Sequence, residues 1–136
     1  MSDIVADLRT YLLTQTHVTN EVGTRMYFDH LPQGCTLPAL VLEQSDLQII
    51  RNLTATTTLR RAQVNILVVS ESHTSARAAQ AAIQDAVEFD NGTWDSTTVR
   101  RSYVDDEYDG NYSPADASED FTRVAYTTAT VWFVDS

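Results

Sequence analysis

Apolar positions near the start of the chain have the spacing of a helix. The residues that share this spacing are Ile4, Val5, Leu8, Tyr11 and Leu12. Positions three and four residues apart lie on the same face of a helix, so this set forms one apolar stripe. Ser2 or Asp3 can accept hydrogen bonds from the free backbone donors of the first turn. The pattern therefore predicts a first helix from about Asp3 to Gln15.

A stripe of mostly small side chains in the middle of the chain predicts a second helix. The stripe consists of Ala76, Ala79, Ala82, Ile83, Ala86 and Val87. Ser72 or Thr74 can cap the first turn. Asn91-Gly92 supplies residue types that accept the left-handed backbone at a helix end. Because small side chains let a helix approach a sheet closely, we expect this helix to pack on strands.

Alternating side chains predict a strand from Leu59 to Ser70. One of its faces carries Ala62, Val64, Ile66 and Val68, and the other carries Arg61, Gln63, Asn65, Leu67 and Val69. The first set is apolar and the second is mixed. We therefore expect a central or near-central strand whose second face is only partly covered.

Four further segments have an extended pattern. They run from Arg25 to Leu31, from Leu37 to Ser45, from Thr97 to Asp105 and from Phe121 to Val134. Pro32 to Thr36 is predicted to be a loop, and Leu47 to Thr58 fits either a strand or a hairpin. The order of these elements predicts an α+β fold, with an antiparallel or mixed sheet of four to five strands and two α-helices packed on one face. We expect residues 1–136 to form a single domain.

The charge balance limits which partners the chain can bind. Nineteen acidic residues face nine basic ones, for a formal net charge of −10, and every basic residue is an arginine. A protein that holds nucleic acid needs a basic face, and the only close basic pairs are Arg60-Arg61 and Arg100-Arg101. Tight binding to a phosphate backbone is therefore disfavoured. No apolar run approaches the roughly 20 residues that cross a bilayer, so we expect no membrane partner.

Residue types that form common active sites are scattered along the chain. His17, His30 and His73 fall in different predicted elements, and the single Cys35 has no metal-ligand spacing around it. Four scattered glycines form no phosphate loop, and a Gly-x-Ser-x-Gly motif does not occur. The sequence therefore predicts no catalytic, cofactor-binding or metal-ligating residue, and we expect the chain not to be an enzyme.

Asp105 to Asp116 approximates the spacing of a calcium loop. Acids stand at positions 1, 3, 5 and 12 of this segment and glycine at position 6. Position 3 is glutamate, position 12 is the shorter aspartate, and Pro114 interrupts the segment. A calcium-dependent binding module is thus an alternative function of another class. The interpretation without a ligand is that Asp105 to Asp116 forms a solvated acidic hairpin tip.

The same segment carries tyrosines among its acids. The candidate partner-binding residues are Asp105, Asp106, Glu107, Tyr108, Asp109 and Tyr112. Interfaces are enriched in tyrosine because it combines a large contact area with a polar tip. We therefore interpret the segment as a partner-binding loop between two strands.

Three features in chain order resemble one known protein family. After an N-terminal helix, residues 23–34 have the sequence Gly-Thr-Arg-Met-Tyr-Phe-Asp-His-Leu-Pro-Gln-Gly, and residues 37–42 have the sequence Leu-Pro-Ala-Leu-Val-Leu. A strand from Arg61 to Val68, an alanine-rich helix from Ala76 and an aromatic-rich last strand follow. This order resembles the tail-completion, or tail terminator, proteins of long-tailed bacteriophages, and the resemblance covers nearly the whole chain.

The resemblance implies a structural function without catalysis. Proteins of this family are small α+β subunits that form a ring, typically a hexamer, on the head-proximal end of the tail tube. The ring stops tube polymerisation and provides the docking surface for the head connector, in a virion assembled in the host cytoplasm. The implied partners are further copies of the chain, the tail tube protein and the head-tail connector or stopper protein. Another tail or connector component, such as a tube subunit, is the nearest alternative.

The charge of the chain is consistent with the implied ring. Six copies would carry six times −10, or −60. An acidic lumen would repel the DNA that slides through it. We therefore expect DNA to pass through the lumen without specific binding.

Overall fold

The computed structural model describes residues 3–29, 38–50, 59–70, 72–89, 91–94, 97–112 and 122–134. The elements in this part of the chain are α1 (Ile4–Leu13), α2 (Thr16–Val22), β1 (Met26–Phe28), β2 (Ala39–Ile50), β3 (Leu59–Ser70), α3 (His73–Val87), β4 (Gly92–Trp94), β5 (Thr97–Tyr112) and β6 (Thr122–Val134). The α+β class is confirmed. The described residues form six strands and three helices, where four to five strands and two helices were predicted.

All six strands belong to one mixed sheet with the order β1-β2-β3-β6-β5-β4. β1 runs parallel to β2, and every other neighbouring pair is antiparallel. The four long strands form the centre of the sheet. The three-residue strands β1 and β4 lie at its two edges, so in the part of the chain that the structure describes they pair with only a short length of β2 and of β5.

The helices pack on one face of the sheet, where they share a single apolar core with the strands. The helices supply Leu8, Leu12, Val22 and Ile83, and the strands supply Leu42, Val64, Ile66 and Phe133, all nearly inaccessible to solvent. Burying one such side chain stabilises the fold by about 1.5–3 kcal/mol. None of the helices in the described part of the chain is long and apolar enough to span a bilayer.

Two helix starts follow the predicted capping chemistry. Asp3 Oδ1 accepts hydrogen bonds from the backbone N–H groups of Val5 (3.1 Å) and Ala6 (3.2 Å) at the start of α1. Ser72 Oγ accepts one from the N–H of Ser75 (3.4 Å) at the start of α3. Each cap satisfies a donor that the helix itself leaves unpaired.

The helix ends differ from the prediction. The first helix ends at Leu13, and a second short helix, α2, follows it; this helix was not predicted. α2 buries Val18 and Val22 almost completely, and two apolar positions among polar residues are too few for a periodic signal. The predicted end of α3 at Asn91-Gly92 was wrong, because α3 ends at Val87 and Gly92 begins β4.

Several strand boundaries also need correction. β1 ends at Phe28 because Asp29 takes a left-handed backbone, with φ of +67°. The extended alternative is right for Leu47–Ile50, which continues β2. The predicted loop from Pro32 to Thr36 and the remainder of the Leu47 to Thr58 segment lie outside the described residues.

Candidate assembly surfaces

We call the sheet face opposite the helices the open face. On its central strands it carries Arg61, Gln63, Asn65, Leu67, Tyr126, Thr128, Thr130 and Trp132. Most of these side chains are half-buried, whereas the alternate residues of the same strands are fully buried under the helices. The partly covered second face that the alternation in β3 predicted is therefore present.

Two arginines lie over aromatic rings on the open face. Arg61 of β3 and Arg101 of β5 are both opposite Trp132 of β6. The Arg61 guanidinium is 5.5 Å from the Trp132 ring centroid, and that of Arg101 is 5.6 Å from the Tyr103 centroid. Trp132 Nε1 donates a hydrogen bond to Tyr103 Oη at 3.3 Å, and Arg61 also donates to the side chain of Gln48. Such cation–π contacts contribute about 0.5–1 kcal/mol each at exposed sites.

Carboxylates occupy the next part of the open face along the strands. Asp106 is opposite Thr128, which lies four residues before Trp132 in β6. Thr128 Oγ1 donates to Asn65 Oδ1 (3.2 Å), and Asn65 Nδ2 donates to Glu43 Oε1 (3.1 Å). Thr130 Oγ1 donates to the carboxylate of the exposed Asp105. The backbone positions of Asp106 and of the two arginines are thus about 13 Å apart along the sheet.

The predicted partner-binding loop is a strand over most of its length. Asp105, Asp106, Glu107, Tyr108, Asp109 and Tyr112 all lie in β5, which was expected to end at Asp105. Their pairing with β6 extends from Asp106 opposite Thr128 to Tyr112 opposite Thr122. β6 satisfies the inward backbone groups of this segment, and the side chains of Asp105 and Asp106 are exposed. Residues 113–121 lie outside the described part of the chain.

The same extended geometry is incompatible with a calcium loop over Asp105–Tyr112. A calcium loop needs a sharp turn at the glycine in its sixth position. That residue, Gly110, is instead paired with Val124 inside the sheet. The described residues contain no group of three or more His, Cys, Asp or Glu side chains that could hold a metal ion.

An aromatic cluster that the sequence analysis missed fixes β4 under the helices. The rings of Tyr11 and Trp94 stack with centroids 4.8 Å apart, and Phe89 contacts both rings. Tyr11 Oη donates a hydrogen bond to the carbonyl oxygen of Ala86 at 2.7 Å. Burial raises the pKa of Tyr11 above its usual value, because the phenolate would lose hydration. The cluster links α1, α3 and β4, so we assign it a structural role.

The fold and these surfaces define a small α+β subunit with one helix-covered face and one open face. The chain belongs to the family described as tail completion protein gp17, since the model of that family matches residues 6–121. The resemblance to tail-completion proteins is therefore confirmed. By this match the chain is a phage tail completion protein.

A solved structure supports the same fold. A chain in the "virion of native gene transfer agent (GTA) particle" superposes with a TM-score of 0.63 at 18% sequence identity, and the match covers 97% of this chain and 99% of that chain. At this identity the likeness shows the fold alone. Among curated proteins, no sequence matches the chain.

Proposed function

We propose that the chain is the tail terminator. In this proposal, copies form a ring on the head-proximal end of the tail tube, and the ring is a hexamer by analogy with the proteins that the chain resembles. The ring stops tube polymerisation and gives the head-tail connector or stopper protein its docking surface. The family match over residues 6–121 is the observation that carries the proposal.

The surfaces of the subunit support a role in assembly. The open face exposes polar, charged and aromatic side chains instead of an apolar layer. Within the described residues, β1 pairs with three residues of β2, β4 pairs with three residues of β5, and Phe89 adds one isolated bridge to Ser102 of β5. Heterologous contacts between such surfaces generate rings when the rotation between copies closes.

The charge of the chain supports passage of DNA through the ring. The net charge of −10 per copy means that successive copies add negative charge around a common lumen. Phosphates would be repelled from an acidic wall and would not be held there. DNA therefore passes through the lumen without specific binding in this proposal.

Electron microscopy of the chain mixed with its tube protein tests the proposal. We expect discrete rings of the chain alone at high concentration, and short tubes closed at one end by a ring in the mixture. Filaments formed by the chain alone would support the tube-subunit alternative instead. A mixture whose tubes grow as long as those without the chain would contradict the terminator role.

A purified connector tests the docking step separately. We expect it to bind capped tube ends and not the ends of bare tubes. Equal binding to both ends would show that the ring does not supply the docking surface, even if it stops tube growth. Tube protein with no added chain is the control.

A further inference from the structure

The two long outer strands of the sheet each have an uncovered segment. β1 pairs only with Leu40–Leu42 of β2, and β4 pairs only with Thr97–Val99 of β5. Within the described residues, β2 from Gln44 to Ile50 and β5 from Glu107 to Tyr112 therefore have no strand on their outer side. An uncovered strand edge is a template for pairing with another chain.

The register shows which backbone groups of β2 face outward. The carbonyl oxygen of Leu42 accepts a hydrogen bond from Asp29 N–H at 3.0 Å on the β1 side, so Leu42 faces outward. The β3 residues opposite Leu42, Leu47 and Ile49 are Ile66, Ala62 and Arg60, respectively. These three β3 residues are separated from one another by even numbers of positions. Because backbone groups alternate in direction along β3, Leu47 and Ile49 also face outward.

The outer groups of β5 are identified in the same way. Val104 N–H donates to the side chain of Glu88 at 3.1 Å, and Glu107 N–H donates to Asp106 Oδ1 at 2.9 Å. Neither bond belongs to the ladder with β6, so both amides face outward. Alternation beyond Glu107 places the backbone groups of Asp109 and Asn111 on the same outer side.

We propose that the outer edge of β2 in one copy pairs with the outer edge of β5 in the next copy, so that one continuous sheet extends around the assembly. This inference rests on the proposed ring, whose subunit contacts it assigns. Three antiparallel pairings separate β2 from β5, so these strands run in opposite directions and can form a further antiparallel pair. Two different edges pair, and such a heterologous contact can repeat until the ring closes.

The positions of the two uncovered segments determine how paired copies would be offset. Ile50 of β2 pairs with Leu59 of β3, Leu59 pairs with Val134 of β6, and Val134 pairs with Thr98, near the start of β5. The uncovered segment of β2 is thus at one end of the sheet, and Glu107–Tyr112 is at the other end. Paired copies would be staggered along the strands, and closed sheets accommodate a stagger by tilting their strands by about 35–45° from the axis.

Charge complementarity also favours pairing between copies. Arg60 and Arg61 are in β3, the strand next to β2. Because side chains alternate along a strand, they lie on opposite faces of the sheet. On β5, Asp106 and Glu107 are likewise adjacent and alternate between faces. The acidic edge of one copy would therefore lie one strand away from arginines of the next on both faces, in agreement with the proposed partner-binding role of this acidic segment.

Apolar exposure is concentrated on the same side of the sheet as the β2 edge. The large hydrophobic residues exposed in the described chain are Phe28 and Ile49, each 43% exposed. Phe28 is the last residue of β1, and Ile49 is next to the last residue of β2. A strand added to β2 would cover Ile49, which gives the pairing an apolar contribution in addition to its hydrogen bonds.

Proline substitutions test the pairing, because proline removes one backbone donor. Ile49→Pro removes an outward N–H of β2, and Glu107→Pro removes one of β5; neither removes a donor used within the subunit's own ladder. Ile49→Thr and Glu107→Thr are the matched controls, since they lose the same side chain and keep the N–H. We expect each proline variant to associate at least about tenfold more weakly than its threonine control.

Mixing the two proline variants gives a sharper result. Ile49→Pro keeps an intact β5 edge, and Glu107→Pro keeps an intact β2 edge. The mixture should therefore form heterodimers that cannot grow, detected by native mass spectrometry. Rings formed by either proline variant as readily as by its control would overturn the inference, and so would the absence of heterodimers.

Hydrogen exchange on the wild-type protein tests the same contact without a substitution. We expect the amides of Leu47, Ile49 and Glu107 to exchange more slowly in rings than in free subunits. Unchanged exchange at all three in rings would overturn the edge pairing and leave the terminator proposal intact. Failure of the wild-type chain to form rings, alone or on tube ends, would overturn both proposals.

Discussion

The two faces of the sheet use different interactions. Beneath the helices, residues such as Ile66 and Phe133 are packed among apolar side chains and are almost fully buried. On the open face, Asn65 and Trp132 are half-buried and hold their neighbours through hydrogen bonds and an arginine contact. The difference indicates that folding depends mainly on the covered face. The open face and the strand edges remain available for contacts between proteins.

Neighbouring residues of β3 provide the most severe test of this difference. Ile66 faces the core and Asn65 faces outward. We expect Ile66→Ala to lower the free energy of unfolding by about 2–5 kcal/mol, because it leaves a cavity in the core. Asn65→Ala should lower it by only about 1 kcal/mol, the loss of side-chain hydrogen bonds. Urea unfolding measures both, and equal losses would contradict the assignment of the two faces.

Gly92 tests how tightly the edge strand β4 is packed beside the aromatic cluster. A Cβ atom at this position would lie 2.5 Å from Cζ of Phe89. We expect Gly92→Ala to cost about 1–3 kcal/mol through overpacking. The adjacent, exposed Thr93 is the control, and Thr93→Ala should change stability by no more than about 0.5 kcal/mol. Similar thermal stability of the two variants would show that Phe89 moves aside freely.

Tyr11, on the helix-covered side of the sheet, should make the free energy of unfolding depend on pH. Tyr11→Phe keeps the ring and loses the hydrogen bond to Ala86, so we expect a loss of about 0.5–1.5 kcal/mol near neutral pH. Burial raises the folded-state pKa of Tyr11 above 10.0, the value for the free group. The stabilisation that comes from the raised pKa of Tyr11 is therefore fully present below pH 10.0, and it is lost as the pH rises from there through the folded-state pKa.

Unfolding curves measured below and above pH 10.0 test the pH dependence that Tyr11 predicts. The difference between the wild-type protein and the Tyr11→Phe variant should shrink as the pH is raised. A difference that stays constant or increases would contradict burial as the cause of the shift.

Arg101 provides the smallest expected effect on folding. It is exposed and lies over the ring of Tyr103. We expect Arg101→Ala to change the free energy of unfolding by less than about 1 kcal/mol. Thermal unfolding of the isolated subunit measures this. A loss as large as that of Ile66→Ala would mean that the open face contributes to folding as strongly as the core.

Local patterns predicted the parts of the fold that depend on local chemistry. The alternation in β3 predicted both of its faces, and Asp3 and Ser72 were correctly among the predicted helix caps. The pattern missed α2 and β4, since each is too short to show a period. It also ended β5 at Asp105, because an acidic run has the composition of a loop. Pairing with β6, which is distant in sequence, extends that strand to Tyr112.

The candidate surface was only partly predictable for the same reason. The sequence identified the acidic segment and the two arginine pairs, but not the relation between them. Arg61 and Arg101 are both opposite Trp132 only because of the register of three strands. The uncovered edges likewise depend on where β1 and β4 stop. Aspartate is enriched in the left-handed backbone that Asp29 adopts after β1, but most aspartates do not adopt it, so the residue type alone does not predict the end of the strand.

Growth of the tail tube, followed by light scattering, tests the central claim most directly. The account predicts that growth stops when the chain is added in amounts sufficient for one ring per growing end, far below the amount of tube protein. Scattering that continues to rise at the rate of untreated tubes, with the chain present in excess, would contradict it.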